Sequence, residues 1–167
     1  MFDEWTPPLL ARVAPAARLL VLVRDPVERM LSALTYIREK RRAASGDGTA
    51  PGHLTINREF IRSHYWYQLR NLLRHFPREQ LLVLQYELCV SDTQKQAART
   101  FEFLGLDPYR LRLTADHARP RNATTVPKVT VDRKLTGESR ESLRSELRAL
   151  AEHFPEIDQS LWPSARL

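Results

Sequence analysis

Arg24 is of the type that holds a multiply charged anion, since a guanidinium offers parallel N–H donors to a phosphate or sulfate. Its setting favours that use. Leu19-Leu20-Val21-Leu22-Val23 is an unbroken apolar run, as in a strand buried on both faces of a parallel sheet. Asp25 then suits a helix N-cap, Pro26 the first helical position, and Glu28 the acid of a capping box. A basic residue at a strand's carboxyl end, beside a helix N-terminus, is placed to hold negative charge. The competing explanation is an ordinary strand–turn–helix with a solvated arginine.

The elements that must position these residues follow from periodicity. Thr6-Pro7-Pro8 starts a short helix through about Val13, and a strand spans about Arg18 to Val23. The helix after Pro26 runs to about Arg42, with Val27, Met30, Leu31, Leu34 and Ile37 inward and Glu28, Arg29, Ser32, Thr35 and Tyr36 on the other face. Residues 44–52 are small, polar and glycine-rich, and read as a surface loop. A long helix is expected over about Asn57 to His75, with Tyr65, Leu69, Leu72, Leu73 and Phe76 as its apolar stripe. A second strand follows in Gln80–Tyr86. Then comes a helix capped by Ser91 or Asp92 and ended by Gly105. Residues 107–137 show no long periodicity. A last helix over about Ser139 to Phe154 puts Leu143, Leu147, Leu150 and Ala151 on one face. Strands joined through helices argue for an α/β fold with a parallel sheet flanked by helices.

Composition narrows the function classes. The chain has 167 residues, 43% hydrophobic and 28% charged, as for one soluble globular domain. No apolar run is long enough to span a membrane. Cys89 is the sole cysteine, which excludes a disulfide framework and a cysteine metal site and makes a reducing cytoplasm the simplest compartment. The five histidines show no metal-ligand spacing, so no metal is expected. A net charge of +6 suits an anionic partner such as a nucleotide or an acidic sugar. No nucleic-acid-binding motif is present, so a basic nucleic-acid binder is the weakest of three readings, behind an enzyme and a non-catalytic binding module.

The block Arg24-Asp25-Pro26-Val27-Glu28-Arg29-Met30-Leu31-Ser32-Ala33-Leu34-Thr35-Tyr36 resembles the RDPxxRxxSxxxY block of sulfotransferases that use 3′-phosphoadenosine 5′-phosphosulfate (PAPS). The resemblance continues through Tyr65–Pro77, Gln80–Leu84, Tyr86-Glu87, Asp92 and Phe103–Leu106. It covers residues 17–106, and Asp158-Gln159-Ser160-Leu161-Trp162-Pro163, which closes the helical tail at 138–163, resembles the tail of bacterial and carbohydrate members. It implies a P-loop-like three-layer fold and sulfuryl transfer from PAPS to a hydroxyl or amine of a small-molecule or carbohydrate acceptor. It also implies a 3′-phosphate grip by Arg24 and Ser32. Arg29 is a further candidate, and Lys128, Arg133 and Lys134 are candidates for a basic segment that in relatives also reaches the 3′-phosphate.

The resemblance also implies a part not visible here. Relatives hold the 5′-phosphosulfate in an N-terminal strand–loop–helix, and no glycine-rich, lysine-bearing equivalent occurs in this sequence. No catalytic base is assignable. The expectation is therefore a single, N-terminally truncated sulfotransferase domain over 1–167, inactive by itself. The alternative is a remnant that keeps only a nucleotide- or partner-binding surface.

Overall fold

A computed structural model describes residues 5–46, 53–110, 112–114, 127–129 and 133–165. Its elements, in chain order, are α1 (Thr6–Val13), β1 (Leu19–Val23), α2 (Pro26–Ser45), α3 (His53–Ile61), α4 (Tyr65–Leu73), β2 (Leu81–Gln85), α5 (Tyr86–Ser91), α6 (Thr93–Leu104) and α7 (Arg133–His153). Short 3₁₀ turns cover Arg78–Gln80, Pro108–Arg110, Gln159–Leu161 and Pro163–Ala165. Among the described residues the sheet has two strands. They are parallel and paired from Leu19 with Leu81 to Val23 with Gln85. A parallel pair needs a crossover, here supplied by α2, α3 and α4.

One face of this sheet is filled. Val23, Leu81 and Val83 pack with Leu69, Leu72 and Phe76 of the α4 region, and with Leu143, Leu147 and Leu150 of α7. Phe154 and Trp162, both fully buried, close this core from the C-terminal side. The alternate strand positions do not share that cover, since Leu20 is 45% and Leu22 58% exposed. No helix among the described residues is long and apolar enough to cross a membrane.

Three differences from the periodicity have physical causes. The long helix expected over about Asn57 to His75 is two helices broken at Arg62–His64. At the break, the Glu59 carbonyl accepts from the Arg29 guanidinium, and the Ser63 N–H turns instead to Phe60 O at 2.8 Å. Ser63 is buried there and donates its hydroxyl to Pro26 O at 2.9 Å, a site where a helical stripe has no use for serine. Second, Thr35 was expected on the polar face of α2 and is fully buried. Its Oγ1 donates to Leu31 O and accepts from Val129 N, both at 2.8 Å, so residues 127–129 lie along α2. Third, α2 continues to Ser45 and stops at Gly46, whose φ of 70° admits the left-handed cap. The last helix likewise begins at Arg133, ahead of the expected Ser139.

Candidate functional site

The carboxyl ends of β1 and β2 lie side by side, and the residues that follow each strand build the site. In open α/β sheets this edge is where ligands bind. Asp25 caps α2, as its sequence position suggests. Its Oδ1 accepts from Val27 N and Glu28 N, both at 2.9 Å. The capping box is completed differently from the expectation. Asp25 N donates to Glu87 Oε1 at 3.0 Å, so Glu87 of α5 takes the place assigned to Glu28. Glu87 Oε2 accepts from the Trp162 indole at 2.9 Å, and Asp25 Oδ2 accepts from Ser164 N at 2.8 Å. Gln85 adds a two-way pair, with Asp158 N donating to its Oε1 and its Nε2 donating to Asp158 O, each at 2.9 Å. The C-terminal turns are thereby fastened across both strand ends.

This frame holds Arg24. Its guanidinium lies 4.8 Å from the centre of the Tyr86 ring, a cation–π distance. Its Nη2 is 3.8 Å from Glu28 Oε2. Its backbone N–H points at the Tyr65 hydroxyl, 3.4 Å away. Burial pushes the Tyr65 phenol up to about 12, against lowering effects of Arg29 and of the Arg24 N–H, so it stays a neutral hydroxyl at physiological pH.

A second cation reaches the same carboxylate. Lys128 Nζ is 2.5 Å from Glu28 Oε2. It is carried there by a segment tied to α2 through Arg38 Nη2 to Pro127 O (2.6 Å) and Val129 N to Thr35 Oγ1 (2.8 Å). Ser32 follows Glu28 by four residues and is half-buried on the same flank of α2. Arg24, Glu28 and Ser32 thus form one stripe at a helix N-terminus, with Lys128 crossing it. Two cations around one carboxylate leave a net positive charge beside the positive end of the helix dipole, and the hydroxyl completes a donor set suited to a tetrahedral oxyanion.

Arg29 is engaged elsewhere. Its Nε and Nη2 donate to Ser63 Oγ at 3.1 and 2.9 Å, its Nη1 to Glu59 Oε2 at 3.3 Å, and its Nη2 also to Glu59 O. Glu59 is buried and additionally meets Arg62 at 3.1 Å and Arg58 at 3.5 Å. Arg29 therefore clamps α2 to the α3–α4 break. Lys134 falls within α7, but its side chain, like that of Arg133, is outside the described residues. Sequence reasoning missed Glu87, Tyr86 and Trp162 as partners of the site. The available signal was that Tyr86-Glu87 sits at the end of the second apolar run, one residue past a strand end.

A parallel strand pair whose ends carry a capped helix and a converging pair of cations makes this an α/β protein. The solved sulfotransferase from Alicyclobacillus acidocaldarius has this fold: it matches 96% of the chain, and 63% of its own length, with a TM-score of 0.70 at 20% identity. The profile of the sulfotransferase family matches residues 5–110, more than half of the chain, and the chain belongs to that family. It is 30% identical over 107 residues to human heparan sulfate glucosamine 3-O-sulfotransferase 3B1, a stretch covering 60% of this chain and 27% of that protein. The human 3A1 protein matches equally, at 30% over 107 residues and 26% of its length. The chain therefore spans about a quarter of the length of these relatives.

Proposed function

We propose that this chain carries the 3′-phosphate grip of a PAPS-dependent sulfotransferase, with Arg24, Ser32 and Lys128 as phosphate ligands. The acceptor is a hydroxyl or amine of a small molecule or carbohydrate. The observation that carries this reading is the convergence of Arg24 and Lys128 on one carboxylate oxygen, in line with Ser32. Tyr86 supports the Arg24 guanidinium from below, and Glu28 holds both cations in place until the phosphate takes that position. PAPS, when bound, supplies the sulfuryl group for in-line displacement. The contribution of these residues is to position the nucleotide and balance its charge.

Leu20 and Leu22 of β1 are about half exposed, whereas the grip is built at the strand ends, away from them. The same reading has residues 1–167 transferring no sulfuryl group by themselves. The lone Cys89 fits a reducing, cytoplasmic setting.

Binding titrations of adenosine 3′,5′-bisphosphate and adenosine 5′-monophosphate, paired with a transfer assay using PAPS and sugar or phenol acceptors, test this. A charge-assisted phosphate contact contributes about 1.5–3 kcal/mol, so the bisphosphate should bind about tenfold tighter or better, without turnover above buffer. Equal binding of the two nucleotides would remove the grip. Turnover by the chain alone would show that it contains a base and a 5′-site. A preference that persists without turnover, in a version to which a 5′-phosphosulfate-binding strand–loop–helix has been added, would favour the non-catalytic module.

A further inference from the structure

Thr35 places a fully buried hydroxyl in the middle of α2, and nothing in the helix itself calls for it. A threonine that bonds back to the carbonyl four residues earlier slightly destabilises a helix, and Thr35 does so, donating to Leu31 O at 2.8 Å. That bond commits its single proton, so the oxygen meets its other neighbour as an acceptor only. The neighbour is Val129 N, which donates to it at 2.8 Å from 94 positions along the chain. Val129 is buried as well and packs beside Met30 and Leu34. The other tie of this segment, from Arg38 Nη2 to Pro127 O, is exposed, where water competes for both partners.

Lys128 lies between these two ties, and its Nζ meets Glu28 Oε2, the oxygen that Arg24 also approaches. Glu28, Ser32 and Thr35 succeed one another at four and three residues, on one flank of α2. Thr35 stands about 10 Å along the axis from Glu28. An extended lysine side chain covers much of that span, provided its backbone is held against the helix. Fixing the backbone beside the lysine leaves only side-chain freedom to be lost when it meets an anion. We propose, on the basis of the 3′-phosphate grip, that Thr35 is the positioning residue for Lys128. Its buried hydroxyl latches Val129 to α2 and so preorganises the lysine for the phosphate, without touching the nucleotide itself.

The variants that test this in the full chain are Thr35→Val, which keeps the shape and removes the acceptor, Thr35→Ser, which keeps the acceptor, and Lys128→Met. The double variant of Thr35→Val with Lys128→Met completes a cycle. Amide hydrogen exchange at Val129 reads the latch with no nucleotide present. Dissociation constants for adenosine 3′,5′-bisphosphate and adenosine 5′-monophosphate read the grip. Exchange at Val129 should quicken about tenfold or more in Thr35→Val and stay as it was in Thr35→Ser. The bisphosphate should bind about fivefold more weakly in Thr35→Val and in Lys128→Met. The double variant should bind it no more weakly than either, because the two substitutions remove one interaction. Thr35→Val should leave the monophosphate as it was.

Unchanged exchange in Thr35→Val overturns the proposal, since Val129 is then held by something else. Bisphosphate binding that survives Thr35→Val while Lys128→Met weakens it leaves the grip standing and removes Thr35 from it. Additive losses in the double variant, or an equal loss for the monophosphate in Thr35→Val, would reduce Thr35 to a structural residue of α2. Unchanged bisphosphate binding in Lys128→Met would remove Lys128 from the grip, and the role of Thr35 with it.

Discussion

The two faces of the β1–β2 sheet are built to different degrees. On one, Val23, Leu81 and Val83 are sealed by α4, α7 and the Trp162 turn. On the other, Leu20 and Leu22 remain about half exposed although their side chains are as apolar as those opposite. A strand buried on both faces reads as a continuous hydrophobic run, and both strands do. The contrast teaches that apolar content alone does not set cover, and that the Arg24–Glu28–Ser32 stripe is positioned from the strand ends and the α2 N-terminus rather than from either sheet face.

The largest test of that contrast is a pair of truncations. Trp162→Ala should lose about 3–5 kcal/mol of stability, because it opens a fully buried cavity and strands Glu87 Oε2. Leu22→Ala should change stability by no more than about 0.5 kcal/mol, as for a surface position. Chemical denaturation measures both, and comparable losses would mean that the second face is packed after all.

The next test separates the frame from the stripe. Asp25→Ala removes the acceptor for Val27 N, Glu28 N and Ser164 N together. A lost cap contributes about 1 kcal/mol and a buried N–H left unpaired about 1–3, so a loss of about 2–4 kcal/mol is expected. Glu28→Ala, one turn into the helix and partly exposed, should cost under about 1 kcal/mol. Similar losses for the two would contradict the division of labour between these acids.

A smaller effect is expected from pH. Burial pushes the Tyr65 hydroxyl up to about 12 in the folded chain, from 10.0 for a solvated tyrosine, so its contribution is complete below pH 10 and is lost as pH rises toward 12. The unfolded chain releases this proton first, which favours unfolding in that window by on the order of 2 kcal/mol. Tyr65→Phe should flatten the stability profile between pH 10 and 12. An unchanged slope there would show that the phenol is not the group responsible.

How much of this was legible in the sequence depends on chain separation. Asp25, Pro26 and the apolar spacing after them are local signals, and the helix starts where they put it. The two strands and their parallel pairing also follow from short runs joined by helical periods. Glu87 as capping partner of Asp25 was not legible, because Glu28 stood at the standard spacing and only the strand register brings residue 87 alongside. The break at Ser63 was hidden for a similar reason: it requires Arg29, 30 positions earlier, to take the Glu59 carbonyl. Thr35 looked exposed by periodicity and is buried because 127–129, a stretch with no periodic pattern, lies over it. In the site itself, Arg24 and Ser32 were named from their block, whereas the arrival of Lys128 at Glu28 depends on that same long-range contact.

The central claim is that Arg24 and Ser32 read the 3′-phosphate. The direct measurement is the ratio of dissociation constants for adenosine 5′-monophosphate and adenosine 3′,5′-bisphosphate, compared among the unmodified chain, Ser32→Ala and Arg24→Ala. The account predicts a ratio of about ten or more for the unmodified chain, a few-fold reduction in Ser32→Ala, and the largest reduction, about tenfold, in Arg24→Ala. Stability of Ser32→Ala should stay within about 0.5 kcal/mol, since alanine suits a helix interior. A ratio that survives Arg24→Ala unchanged would contradict the account and assign the 3′-phosphate to other residues.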